Sequence, residues 1–143
     1  MSLTSISLNV KSNDSVGLQL TVKLNNTLIQ SFVLTEEVQN FYHELDNSPS
    51  SHSLEIEIKG KRPDHTVLNK HGEIIKDAVV EIFDLKLSDI DVGDVFYHKS
   101  LYFHDYNGSA EPTVGQFYKT VGCNGIIKFN FYTPVYLWLY DNM

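Results

Sequence analysis

Residues Ser51–Val92 read SHSLEIEIKGKRPDHTVLNKHGEIIKDAVVEIFDLKLSDIDV, and this stretch decides the fold. Its first part alternates, with Leu54, Ile56 and Ile58 on one face and Ser53, Glu55, Glu57 and Lys59 on the other. That period of two is the mark of a half-buried strand. Its last part, Val79–Leu87, is a second apolar run. Val80 and Ile82 fit one phase of alternation, and Leu85 and Leu87 fit the other, which predicts a bulge near Phe83-Asp84. Between the two runs lies a charged connection, Gly60–Asp77, with His71-Gly72-Glu73 predicted as a tight turn inside it. A connection of that length inside a domain is usually functional or disordered.

The same alternation extends outward in both directions. Ile6, Leu8 and Val10 predict a first strand. Val16–Leu24 and Thr27–Leu34 flank Asn25-Asn26, and Asn tolerates positive φ, so this is a predicted hairpin. Thr35–Leu45 predicts a fourth strand, with Phe41, His43 and Leu45 on one face. Phe96–Phe103 reads as a strand, Asp105–Gly115 as a loop and Phe117–Val121 as a short strand. Cys123-Asn124-Gly125 predicts a hairpin turn leading into Ile127, Phe129 and Phe131, which face inward. Val135–Tyr140 is predicted as a closing strand near a sheet edge, with Leu137 and Leu139 in the core. Many short strands without a clear helix predict an all-β fold: a single antiparallel β-sandwich over residues 1–143, jelly-roll-like and similar to carbohydrate-binding modules.

The totals narrow the function. The chain has 143 residues and a net charge of −7, and this acidity argues against nucleic acid, whose phosphates need a basic face. No run approaches the roughly 18 apolar residues of a membrane-spanning helix, so no membrane partner is expected. The single Cys123 excludes an intrachain disulfide. MSLTSISLNV alternates and lacks the apolar centre of a secretory leader, so synthesis in a host cytoplasm and residence in a virion are expected.

Part of the chain resembles a known family. The strand ISLNV, the reversing pair GLQLTVKLNNTLIQSF, the strand HSLEIEI and the segment DAVVEIFDLKLSDIDV together resemble calcium-dependent xylan-binding modules. The resemblance implies a β-sandwich, a polysaccharide ligand, and calcium held by a loop equivalent to Gly60–Asp77. The whole chain is also similar to small structural proteins of tailed phages of aquatic bacteria. That similarity rests on the G-K-x-P-D-x-T run at Gly60–Thr66, on Asp89-Ile90, and on the C-terminal TPVYLWLYDN. It implies a role in decorating or joining parts of a capsid, tail or fibre.

Candidate chemistry falls in two places, the acidic middle of the chain and its aromatic end. In the long connection, Asp64 and Asp77, with His65 and Glu73 nearby, offer oxygen ligands to a hard cation such as calcium. The plainer reading is a solvated, salt-bridged loop. His65 and His71 are candidates for contact with a ligand or partner. A second acidic group, Asp84, Asp89, Asp91 and Asp94, has the same two readings, cation or polar strand end. The other place is the aromatic C-terminal third. There Tyr136, Trp138 and Tyr140 share one face if extended, and aromatic faces of this kind meet glycans or protein partners. No nucleophile elbow, P-loop or zinc spacing occurs, so no catalytic residue and no cofactor beyond calcium is expected. The first expectation is a non-enzymatic virion protein that assembles as an oligomer with other virion proteins. The alternative is a module that binds polysaccharide.

Overall fold

The computed structural model describes residues 3–104 and 111–143. They form an all-β sandwich. One sheet contains β1 (Leu3–Ser12), β4 (Gln39–Asp46), β8 (Val80–Leu87), β9 (Ile90–Asp91) and β12 (Thr120–Val121), in the order β12-β8-β1-β4 with β9 on β8. The facing sheet contains β2 (Gln19–Leu24), β3 (Thr27–Val33), β5 (Ser50–Lys59), β10 (Leu101–His104), β11 (Thr113–Gln116) and β13 (Gly125–Thr133), in the order β11-β10-β13-β5-β2-β3. Ile6, Leu8, Val10, Phe41, Ile82 and Leu87 from the first sheet meet Leu20, Val22, Ile56, Ile58, Ile127 and Phe129 from the second. Each strand contributes alternate residues, as the period-two pattern requires.

Two turns form as their residues dictate. Asn25 and Asn26 take φ of 53° and 67°, the left-handed pair that a two-residue hairpin turn needs. Asp84 has φ of 57° and sits where the β1–β8 register shifts, between Ser7–Lys86 and Asn9–Phe83. This bulge turns Val80, Ile82, Leu85 and Leu87 all inward despite their mixed phase.

Three expectations are corrected. Phe96–Phe103 is not one strand: α1 (Gly93–Lys99) precedes β10. Val92 and Phe96 bury one side of that turn of helix, Asp94 sits in its first turn, and His98 and Lys99 sit in its last, as the helix dipole favours. Val135–Tyr140 is likewise helical: α2 spans Val135–Asn142 after a cis Thr133–Pro134 bond. Asn47 Oδ1 accepts from Val135 N–H at 3.0 Å, which satisfies one free donor of its first turn. Val135 and Trp138 are buried and Leu139 is half-buried, spacings of three and four, so Leu137 turns outward rather than into the core. Finally, Asn124-Gly125 is not a hairpin turn. β12 pairs with β8 in one sheet, while β13 runs between β10 and β5 in the other. Gly125 is glycine because β10 crosses it closely: a Cβ there would lie 2.4 Å from the Phe103 carbonyl oxygen.

Of the loop predicted at Asp105–Gly115, residues 105–110 lie outside the described residues, and Thr113–Gln116 is strand β11. The long connection is ordered as a 3-10 turn, Pro63–His65, followed by a hairpin of β6 (Thr66–Leu68) and β7 (Ile74–Asp77), with Gly72 at φ +80° in its tip.

Candidate functional site

β5 and β13 are long antiparallel neighbours, so they define two ends. Ile58 faces Gly125 at one end, and Ser50 faces Thr133 at the other. The charged connection leaves from the first end. The second end carries the Asn25-Asn26 turn and α2.

At the first end the polar side chains bond inward. The Lys61 side chain is 2% exposed and donates to Asp77 Oδ1 at 2.5 Å and to the Ala78 carbonyl. Thr66 Oγ1 donates to the same Asp77 oxygen at 2.7 Å. Asn124 accepts from Lys61 N–H at 2.8 Å and donates back to Lys61 O at 3.1 Å. Asn13 donates to Asp77 O and accepts from Val79 N–H, each at 2.8 Å. Asp64 lies on the surface against Arg62 at 3.3 Å. Lys76 lies 3.0 Å from Asp14 and holds that carboxyl below its usual range. His65 is buried, and its Nδ1 accepts from Arg62 N–H, while Nε2 meets no hydrogen-bond partner among the described residues. His71 is exposed at the tip of the hairpin. Asp64 and Asp77 therefore each face a cationic side chain.

At the second end lies an open groove of about 810 Å³. Its lining is Asn25 and Asn26 of the hairpin, Ser50–Ser53 of β5, Asn130–Tyr132 of β13, and Trp138 and Asn142 of α2. Two apolar rings form its base. Trp138 is 3% exposed and packs edge-on against Phe129 at 5.6 Å, and His52 stacks on Phe131 at 5.2 Å. Around them stand amides and hydroxyls. Among the described residues no hydrogen bond occupies the side chains of Asn26, Ser51 or Asn130. The Tyr132 hydroxyl donates to Asp141, whose carboxylate pushes the phenol pKa up. The aromatic trio predicted at this end divides. Trp138 joins the groove, whereas Tyr136 and Tyr140, four residues apart, point to solvent on the far side of α2. Only an extended chain would put all three on one face; in a helix, residues two apart face opposite ways.

A third feature is acidic. Asp84, Asp91 and Asp94 line a hollow of about 290 Å³ beside Tyr97, and Tyr97 has its pKa raised, chiefly by burial and then by these carboxylates. Asp84 accepts from the Asn9 amide at 3.1 Å, and Asp91 accepts from Gly93 N–H at 2.8 Å.

No protein-family model matches the chain, and no curated protein matches it. Solved structures do. One is the selenomethionine form of vCBM60, described through a circular permutation linking two families of calcium-dependent carbohydrate-binding modules. It is 13% identical with a TM-score of 0.56, over 88% of this chain and 89% of that one. Another is vCBM60 in complex with galactobiose, 14% identical with a TM-score of 0.57, over 88% of this chain and 98% of that one. At such identity the likeness establishes the shared fold. The resemblance to phage structural proteins gains no support from these comparisons.

Calcium takes six to eight oxygen ligands, with carboxylates prominent among them. Among the described residues, no three His, Cys, Asp or Glu side chains come together to hold a metal ion. The groove is lined by none of the described carboxylates. The described residues do not fit calcium at the groove.

Proposed function

We propose that this protein is a non-catalytic carbohydrate-binding module that holds a neutral polysaccharide in the groove at the Asn25-Asn26 end of the sandwich. The observation that carries this reading is the groove's lining: side-chain amides and hydroxyls standing free above two aromatic rings, with no ionised group in the lining. Sugar hydroxyls both donate and accept, and so do amides and hydroxyls, while the buried Trp138 and Phe131 rings support the groove floor from beneath. An open groove admits the middle of a chain as well as its end. The galactobiose complex of a protein with the same fold supports the ligand class. Binding here uses protein side chains alone, without a bridging calcium ion.

Affinity electrophoresis through gels containing neutral polysaccharides, with galactobiose as competitor, tests this. Retention that Asn130→Ala weakens is the expected result. Free migration through every polysaccharide would overturn it.

Assembly into a larger particle is a second reading, and one observation favours it. The β6–β7 hairpin exposes the cross-strand pair Leu68 and Ile74, and exposed apolar side chains that lie side by side often meet a protein partner. Light scattering on the eluting protein tests it: oligomers that Ile74→Asp dissolves would support assembly, and a monomer at high concentration would count against self-assembly.

A further inference from the structure

The hydrogen bonds around His52 have only one consistent polarity. Ser53 N–H can only donate, and it points at the Asn25 side chain at 2.9 Å, so the atom facing it is the amide oxygen. The Asn25 amide nitrogen then faces His52 Nδ1 at 2.9 Å, and that ring nitrogen must accept. On the far side, Thr133 gives its single hydroxyl proton to Ser48 O at 2.5 Å. It therefore accepts from His52 Nε2, 3.0 Å away. The ring must be neutral with its proton on Nε2. Asn25 N–H also donates to Ser53 O at 2.9 Å, so the Asn25-Asn26 turn is tied to β5 at three points.

A second proton on the imidazole has no acceptable place. On Nδ1 it would face the Asn25 amide hydrogens, donor against donor. Turning the Asn25 amide over would relieve that clash and create another, since its hydrogens would then face Ser53 N–H. The ionisable groups on the surrounding elements are Lys23 on β2, Glu55, Glu57 and Lys59 on β5, Lys128 and Tyr132 on β13, Asp46 before the Ser48 loop, and Tyr136, Tyr140 and Asp141 on α2; Glu57 pairs with Lys59 at 3.3 Å. Lys128 faces Glu55 at 3.6 Å, Tyr132 bonds Asp141, and Asp46 bonds Ser48, so the described carboxylates are engaged elsewhere.

We infer that His52 is a positioning residue of the groove: its neutral ring holds the Asn25-Asn26 turn as a wall, and protonation releases that wall, so that glycan binding falls in acid. This rests on the reading of the groove as the glycan site. The competent fraction then falls about tenfold for each pH unit below the His52 titration, and the apparent affinity falls with it.

The test has an arm without glycan and an arm with it. Nitrogen chemical shifts of His52 at neutral pH should show the proton on Nε2, and the Asn25 amide and Ser53 N–H signals should move together with the His52 titration. A proton on Nδ1, or Asn25 and Ser53 signals indifferent to that titration, would overturn the inference whether or not a sugar binds. In the second arm, galactobiose affinity is measured from pH 5 to pH 8. His52→Gln supplies one donor and one acceptor without a titration, and it should flatten the pH profile. His52→Phe keeps the ring stack and should weaken binding at every pH. A wild-type profile no steeper than that of His52→Gln would overturn the inference, whereas no binding at any pH would overturn the glycan reading alone.

Discussion

At the end of the sandwich that carries the charged connection Gly60–Asp77, Lys61, Asp77, Asn13 and Asn124 turn inward and bond one another or the backbone. At the groove end, Asn26, Ser51 and Asn130 stand with free side chains over aromatic rings. Both ends are rich in polar residues, and the sequence of the charged connection looks the more functional of the two. The difference teaches that charge density alone does not mark a site. Ions that find partners inside the fold hold it together, and uncharged groups left without partners are the ones available to a ligand.

That contrast can be broken by mutation. The largest effect should come from Asp77→Ala, which leaves the buried Lys61 ammonium with no counter-ion and only the Ala78 carbonyl to bond. Removing one partner of a buried pair costs about 3–5 kcal/mol, read as a fall in denaturant midpoint, and Lys61→Met in the same chain should recover much of it. If Asp77→Ala were neutral for stability but abolished glycan binding, the assignment of the two ends would be reversed. Next comes Gly125→Ala, where the new Cβ meets the Phe103 carbonyl and overpacking costs about 1–3 kcal/mol. Asn130→Ala should leave thermal stability unchanged and weaken glycan binding by about 2- to 10-fold, the worth of one hydrogen bond, as measured by calorimetry. The smallest effect should be at Tyr136 and Tyr140, on the outward side of α2. Alanine there should change stability by less than about 0.5 kcal/mol and leave glycan affinity as it was.

Stability should also depend on pH through the groove end. Burial pushes the His52 pKa below its usual value. Below about pH 6.5 the unfolded chain therefore binds the proton more readily than the folded one. The contribution is complete above that value and is lost as pH falls from there toward the folded pKa. The difference in Tm between wild type and His52→Gln should accordingly shrink or reverse on going from pH 7.5 to pH 5. A constant difference would mean that His52 is not held neutral.

The sandwich was largely legible because alternation is a direct record of which face each residue takes. Ile6 to Val10, Val16 to Leu24 and Leu54 to Ile58 could be read in no other way. The bulge at Asp84 was legible for the same reason, as a break in phase. α2 was not, because Val135–Tyr140 is apolar at every position and fits both periods; only the burial of Val135 and Trp138, with Leu139 beside them, separates them. The groove was legible only at Trp138. Asn25, His52, Asn130, Tyr132 and Asn142 lie far apart in sequence and are gathered by the pairing of Leu24 with Leu54 and of Thr133 with Ser50. The one local hint was the polar run Ser50–Ser53 opening a strand that is apolar further on.

The most direct test of the central claim is the binding isotherm of the intact chain with a retained neutral polysaccharide, repeated in EDTA and with Asn130→Ala and Asp64→Ala. EDTA and Asp64→Ala should leave the affinity unchanged, and Asn130→Ala should lower it. Binding abolished by EDTA or by Asp64→Ala, with Asn130→Ala silent, would contradict that claim.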